Sequence, residues 1–256
     1  MKLFMIAPAQ IPVPPRSGGS VEYSMYQIAK QLSRKHKVTV YSRKIGKLRP
    51  VTHHGQLKII RVQSDKKSYL ATVIKKLQSQ RPLGANAVIQ IDNRPSYVPA
   101  VKNHFPHTTV SLFLHSLTYV SPPMTTRGAA SKHVARADLI VGNSQSLKRQ
   151  LMNRFPHSRK KIHSVYLGAD LAQFKPPSEE QRQSIRRRHD VSGRFVIAFA
   201  GRLIPRKGIP ALIRAAAIVK KSIPSVILVI AGGSQLPSYR SYLRRLANQE
   251  NVPVKF

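Results

Sequence analysis

Three cationic side chains stand between two glycines in the second half of the chain. Arg202, Arg206 and Lys207 lie between Gly201 and Gly208. The apolar run before Gly201 is typical of a buried parallel strand, and the spacing after Gly208 predicts an amphipathic helix. A loop that leads from a strand into a helix N-terminus favours a phosphate, because free backbone N–H groups and the helix dipole attract an anion. The cations strengthen that prediction, although the same spacing also fits an ordinary turn on a basic protein.

Two further candidate sites lie in the first half of the chain, one at a histidine that follows an apolar run and one at two adjacent glycines that precede a helical run. His115 follows the apolar run 109–114, so we expect it at the carboxyl end of a strand, where open α/β sheets bind ligands. A packing or surface histidine is the alternative, since the chain has ten histidines. Gly18 and Gly19 precede a run with helical spacing for which Ser20 is the expected cap. Glycines there would let the backbone approach a ligand closely.

Strand-like apolar runs alternate with helical spacing along the whole chain, which predicts an α/β fold with doubly wound parallel sheets. The predicted strands are 3–7, 38–41, 57–62, 87–91, 109–114, 138–141, 162–167, 195–200, 226–231 and a last one beginning near 252. The polar, proline-containing stretch 174–180 predicts a linker. We therefore expect two domains, residues 1–177 and residues 178–256.

The charge balance is extreme: 44 Lys and Arg against 9 Asp and Glu give a formal net charge of +35. A field of this strength attracts anionic partners. With 41% hydrophobic residues the chain is not a disordered basic tail, and with no cysteine it has no disulfide or thiolate metal site. No apolar run reaches the roughly 18 residues of a membrane span. No nucleic-acid-binding motif accompanies the charge, so specific nucleic-acid binding is not predicted.

The order of short motifs resembles the family 4 glycosyltransferases, whose GT-B fold has two Rossmann-like domains facing each other across a cleft. The residues that carry the resemblance are Pro14-Pro15-Arg16-Ser17-Gly18-Gly19, Leu114-His115-Ser116, Val141-Gly142-Asn143-Ser144, Leu167-Gly168-Ala169-Asp170, Phe174-Lys175-Pro176, Ala200-Gly201-Arg202, Arg206-Lys207-Gly208 and Ile230-Ala231-Gly232-Gly233. Asn93-Arg94-Pro95 looks most like the spore-coat-associated bacterial members.

This resemblance implies transfer of a sugar from a nucleotide-diphosphate sugar to a glycan, lipid or protein acceptor, with retention of the anomeric configuration. The second domain would bind the nucleotide sugar and the first the acceptor. Arg202, Lys207 and Gly201, with Gly18 and Gly19, would bind the donor diphosphate, and His115 would be catalytic. The family pattern implies no metal and no cofactor beyond the nucleotide sugar, because two cations offset the charge of the departing diphosphate.

One departure from the family pattern concerns the end of the chain. Family members carry two glutamates, separated by seven residues, that hold the donor sugar, whereas Glu250 is the only acid here after Asp190. We therefore expect an incomplete second domain, an uncovered sheet edge that favours oligomers, and impaired turnover. The alternative function is a non-catalytic basic protein of a coat layer or of an anionic membrane surface. The expected location is the cytoplasm, at the inner membrane face, or in a spore coat.

Overall fold

The protein, described by a computed structural model, divides into two compact units. The described residues are 1–16, 18–234 and 236–256; Ser17, in the glycine-rich stretch, and Gln235 lie outside them. Unit 1 comprises Met1–Ala169 and unit 2 comprises Asp170–Phe256. The division therefore comes before the boundary expected between residues 177 and 178, and the stretch 170–177 groups with unit 2.

Unit 1 is built on one eight-stranded sheet whose strands are short runs of apolar and β-branched residues. Its strands are β1 (Lys2–Ile6), β2 (Lys37–Arg43), β3 (Val51–His54), β4 (Leu57–Val62), β5 (Ala87–Asp92), β6 (Thr109–Leu114), β7 (Leu139–Gly142) and β8 (Ile162–Ser164). The strand order is β3-β4-β2-β1-β5-β6-β7-β8. All neighbours pair in parallel except β3 and β4. The parallel sheet predicted from the sequence is confirmed, with one antiparallel edge strand added to it.

Helices cover both faces of this sheet. They are α1 (Ser20–Leu32), α2 (Tyr69–Gln78), α3 (Val98–His104), α4 (Arg127–Ala135) and α5 (Gln145–Arg154). Successive residues of β1 point to opposite faces, so Met5 packs with Met25 of α1, while Phe4 and Ile6 pack in the core that α2 to α5 cover. Each face thus buries its own apolar cluster, which is the layered arrangement of an α/β domain.

The order of the strands reverses its direction at β1, between β2 and β5. From β1 the chain passes through α1 to β2 on one side, and later returns to β5 on the other side of β1. Two neighbouring parallel strands whose connections leave in opposite directions form a crevice at their carboxyl ends, where open α/β sheets bind ligands. The turn before α1 and the segment after β5 lie at this edge.

Two details of unit 1 differ from the sequence predictions. The helix α1 begins at Ser20, but its N-cap is Gly19 in the left-handed conformation, with φ 73°, so Ser20 is not the cap. The strand predicted over 162–167 ends at Ser164, and Val165, Tyr166 and Leu167 are exposed. Past β8 there is no further strand in the described sheet for these side chains to pack beside.

Unit 2 has a three-stranded parallel sheet. It contains β9 (Phe195–Ala200), β10 (Val226–Ala231), β11 (Val254–Lys255), α6 (Glu179–Arg188), α7 (Ile209–Ser222) and α8 (Pro237–Gln249). The order β11-β10-β9 leaves β9 at one edge. One apolar cluster joins α7 and α8 to β9 and β10. A capping box, Ser178 with Gln181, begins α6, whose residues are all at least partly exposed.

Two glycine turns of unit 2 touch at the carboxyl ends of β9 and β10. Gly201 N donates a hydrogen bond to Ala231 O at 2.9 Å, and Leu203 N donates one to Gly233 O at 3.0 Å. Gly232 has a φ of 154°, and a Cβ on it would lie 1.8 Å from Gly201 O. Only glycine fits at this position, so Gly232 sets the position of the β9 turn that carries the predicted phosphate loop.

Within the described ranges, no helix combines the length and the apolar character that crossing a membrane requires.

The self-contained sheet of unit 1 predicts independent folding. We expect residues 1–177, expressed alone, to show one cooperative thermal transition, because the sheet, its helices and both apolar clusters lie within residues 1–169. Circular dichroism and scanning calorimetry would measure it. A broad, non-cooperative loss of signal would contradict the prediction.

The contact between the glycine turns predicts a large difference between adjacent alanine substitutions. Gly232→Ala should destabilise the chain by about 1–3 kcal/mol, because the backbone must move to relieve the clash with Gly201 O. Gly233→Ala is the matched control, since a Cβ there meets nothing within 4 Å. Urea denaturation compares the two variants, and equal midpoints would show that the contact does not constrain the turn.

Candidate functional site

A histidine–aspartate pair lies at the carboxyl ends of β5 and β6. Asp92, the last residue of β5, is fully buried, and its Oδ1 lies 3.2 Å from His115 Nε2. Gln90 Nε2 donates a hydrogen bond of 2.7 Å to the other oxygen, Oδ2. A bond from Nε2–H to Asp92 fixes the imidazole tautomer and leaves His115 Nδ1 as the acceptor of the ring. With this tautomer, His115 Nδ1 can accept a hydrogen bond from a hydroxyl group.

Two asparagines hold the backbone of His115. His115 N donates to Asn93 Oδ1 at 3.4 Å, and Asn143 Nδ2 donates to His115 O at 3.2 Å. Asn93 has a φ of 54°, a conformation that asparagine tolerates better than most residues. The ring also lies 4.6 Å, between centroids, from the Phe113 ring. Strand ends from β5, β6 and β7 therefore fix this histidine at three points.

Arg94 is a buried cation beside this pair. Its guanidinium lies 3.8 Å from the centre of the Tyr119 ring. It donates a hydrogen bond of 2.7 Å to Asn93 O and a second hydrogen bond to Gln10 Oε1. These partners join the loop after β1 to the loop after β5. Stacking and hydrogen bonding hold the guanidinium in one orientation, as is needed for a buried arginine.

Glu22 is the fourth charged group of this edge, and it is 4% exposed in the first turn of α1. Its Oε2 would lie 3.0 Å from a Cβ on Gly19, so the carboxyl covers that glycine, whereas Gly18 has open space on its Cβ side. Burial raises the pKa of the Glu22 carboxyl. A hydrogen bond from its own backbone N–H and the charges of Arg94 and His115 oppose that rise, and Asp92 adds to it.

The predicted phosphate loop of unit 2 has the local structure expected of it. Gly201 follows β9, a single 3-10 turn covers Pro205–Lys207, and Gly208 is the left-handed N-cap of α7 with φ 67°. The first turn of α7 leaves backbone N–H groups without an intrahelical acceptor. Arg202 and Lys207 are exposed at this turn. In the ranges that the structure describes, neither takes part in an ion pair.

The structure therefore brings the sequence-predicted residues together in two groups. Gly18, Gly19 and His115 lie in unit 1, and Gly201, Arg202 and Lys207 lie in unit 2. Sequence reasoning did not assign Glu22, Asp92 and Arg94 to a site. Asp92 had a usable signal, because it is a carboxylate directly after an apolar run in a chain with only nine acids. Glu22 was explained by its place in the first turn of a helix, and that explanation did not predict that its side chain is buried beside Gly19.

Two family models match the chain, and they match one unit each. The model described as Glycosyltransferase Family 4 matches residues 18–173, and the model described as Glycosyl transferases group 1 matches residues 181–256. The first match covers more than half of the chain. It begins at Gly18, in the turn before α1, and includes Glu22, Asp92, Arg94 and His115.

Curated relatives match the chain from end to end. Spore coat protein SA of Bacillus subtilis is 26% identical over 265 residues, which cover 100% of this chain and 68% of that protein. The putative glycosyltransferase YtcC of the same organism is 28% identical over 258 residues, covering 96% of this chain and 61% of YtcC. The chain thus spans roughly two-thirds of the length of these proteins.

A solved structure shares the fold. The structure of Anabaena Alr3699/HepE in complex with UDP matches with a TM-score of 0.74 at 19% identity, covering 100% of this chain and 68% of that one. This likeness confirms the predicted GT-B type of α/β fold. Together with the match over residues 18–173, it shows that the chain belongs to Glycosyltransferase Family 4.

Proposed function

We propose that this chain transfers a sugar from a nucleotide-diphosphate sugar to an acceptor hydroxyl, with retention of the anomeric configuration. The observation that carries the proposal is the loop from Gly201 to Gly208, which has three exposed cations, Arg202, Arg206 and Lys207, before the N-terminus of α7 in a chain of this family. The acceptor belongs to a glycan, lipid or protein of the cell envelope or spore coat. The name of the relative Spore coat protein SA supports an acceptor in the spore coat.

Unit 2 supplies the donor site in this proposal. Arg202 and Lys207 bind the diphosphate oxygens, and the turn at Gly201 allows the donor to approach the backbone. The solved complexes of HepE with UDP and with UDP-glucose support a nucleotide of this class. The two cations offset the charge that develops on the departing diphosphate, so the proposed reaction needs neither a metal nor a further cofactor.

Unit 1 supplies the acceptor side. His115 is the proposed catalytic residue, because Asp92 holds its ring with Nδ1 free to accept a hydrogen bond from a substrate hydroxyl. The open space at Gly18 admits the donor close to the backbone, and Gly19 allows the turn in which Glu22 lies over it. The oxygen of the acceptor bonds to the anomeric carbon as the bond from that carbon to the diphosphate breaks. The acceptor proton leaves with the nucleoside diphosphate.

The donor half of the proposal predicts the effect of two substitutions. Arg202→Ala and Lys207→Ala should each weaken binding of UDP or GDP by about 1.5–3 kcal/mol, the range for hydrogen bonds to charged groups. In Kd this is roughly 10- to 150-fold. Isothermal titration calorimetry of the full chain with each nucleotide measures it.

Lys221→Ala is the matched control for these variants. It removes the same charge from the other end of α7, in the last turn of that helix. The affinity of this variant for UDP and GDP should equal that of the unsubstituted chain. If all three variants bind equally and are folded, the loop is not the donor site, and a common loss in all three would indicate general attraction by the net charge.

The charge of +35 supports a second function, a basic binding protein of a coat layer or anionic membrane surface. This function predicts binding to heparin, duplex DNA and phosphatidylserine vesicles that is similar for all three. That binding should fall at least about tenfold between 50 and 200 mM salt, because it depends on counterion release. Sedimentation and fluorescence anisotropy measure it. Salt-resistant binding to one of the three would contradict a purely electrostatic function and indicate a specific partner.

A further inference from the structure

One face of α6 carries arginines where a packed helix carries apolar side chains. Residues 179, 182, 183, 186 and 187 follow the i, i+3, i+4, i+7 and i+8 spacing, so they form one stripe along the helix. The stripe consists of a glutamate, a glutamine and three arginines. Ile185, the one apolar residue of α6, lies outside the stripe and is 48% exposed. The stripe is therefore not built for apolar packing.

The stripe lines a cavity on unit 2. Together with the turn before β9, it encloses an open space of about 600 Å³, which we call the α6 cavity. Ser192, Gly193 and Arg194 line the side that the turn forms. Among the described residues, four arginines and a single acid, Glu179, line this space. Glu179 Oε2 lies 3.6 Å from Arg182 Nη1, a weak pair between exposed side chains. The lining keeps an excess of three positive charges.

Two of the four arginines are held in place by backbone carbonyls. Arg186 Nη2 donates a hydrogen bond of 3.1 Å to Val191 O and a second one to Arg194 O. Arg194 Nε donates 3.0 Å to Ser225 O. Both side chains are partly buried, and within the described residues neither forms an ion pair. Carbonyls orient a guanidinium without neutralising it, and its remaining N–H donors can bind an anion.

The α6 cavity is separate from the predicted phosphate loop of unit 2. Arg194 directly precedes β9, whereas Gly201 directly follows it. A strand of six residues is about 20 Å long, so one small anion cannot reach both ends. An inference about this cavity therefore goes beyond the proposed function and does not depend on it.

We propose that the α6 cavity binds a small anion that contains two or three linked phosphate groups. A single phosphate group carries a charge of about −1.5 to −2 at neutral pH, which leaves part of the excess charge uncompensated. Linked phosphates present oxygens to more than one guanidinium at once, and arginine forks bind such oxygens in a bidentate manner. The bound anion also relieves the repulsion among four cations in one cavity, so it stabilises the folded unit.

The test compares inorganic tripolyphosphate with orthophosphate on the full chain, which carries isotope-labelled arginine. The Nε–H of Arg194 is the reporter in nuclear magnetic resonance, because its hydrogen bond to Ser225 O slows its exchange with water. Its signal is assigned from its absence in Arg194→Lys. Salt at about 0.3 M shortens the Debye length to roughly 5–6 Å and suppresses attraction by the net charge. We expect a saturable shift with tripolyphosphate, at a Kd at least about tenfold below that for orthophosphate.

Two adjacent positions of α6 provide a matched pair of variants. Arg187→Gln and Arg188→Gln remove the same charge from exposed side chains, but only Arg187 lines the cavity. Arg187→Gln should weaken tripolyphosphate binding at the Arg194 signal at least about fivefold, because a charge-assisted hydrogen bond is lost. Arg188→Gln should change it less than about twofold, since only the long-range field of one exposed, screened charge is lost. Circular dichroism checks the fold of both variants.

Three results of these titrations would overturn the inference: no saturable shift of the Arg194 signal with tripolyphosphate, equal Kd values for tripolyphosphate and orthophosphate, or an equal loss in Arg187→Gln and Arg188→Gln. Duplex DNA and phosphatidylserine vesicles are titrated in parallel. A loss in Arg187→Gln as large for these polyanions as for tripolyphosphate would also overturn it, because the arginines would then belong to a general basic surface. A loss confined to tripolyphosphate supports the site.

Discussion

The buried carboxylate of Asp92 is the group on which the geometry of unit 1 depends most. A fully buried carboxylate without partners costs several kcal/mol, so the fold must bring donors to both of its oxygens. Gln90, two residues earlier on β5, supplies one donor, and His115 at the end of β6 supplies the other. This requirement fixes the relative positions of two strand ends. It also fixes the His115 ring at the carboxyl ends of β5 and β6.

The neighbouring groups depend on the same arrangement. His115 sits with its backbone between Asn93 and Asn143, so the loops after β5 and β7 are tied to the one after β6. Arg94 joins the β5 loop to the β1 loop through Gln10. Four strand ends thus form one hydrogen-bonded surface, with Glu22 on the adjoining helix. A site assembled from such loops on a rigid sheet can hold a substrate in a defined orientation, which is a large part of catalysis.

The sequence predicted most of the fold because local patterns agreed with the tertiary structure. Apolar runs such as 57–62, 109–114 and 195–200 are strands with those same bounds. The edge strand β3 was not predicted, because Val51–His54 has a single apolar residue and its strand structure comes from pairing with β4. The loop of unit 2 was predictable, since glycines and cations adjoin each other in sequence. The cluster of unit 1 was not, because its members come from four segments.

Glu22 shows why part of the candidate site could not be predicted from local sequence patterns. A glutamate in the first turn of α1 interacts favourably with the helix dipole. From the sequence alone, this interaction is a sufficient explanation for the residue. The dipole explains why an acidic side chain is favourable at this position but not why it is buried, because an exposed glutamate in the first turn also interacts with the dipole. Glu22 is buried where its Oε2 lies over Gly19 and where Arg94 and Asp92 are close enough to affect its pKa. The same residue therefore meets the helix dipole at the N-terminus of α1 and lies near Arg94 and Asp92, which come from another segment of the chain.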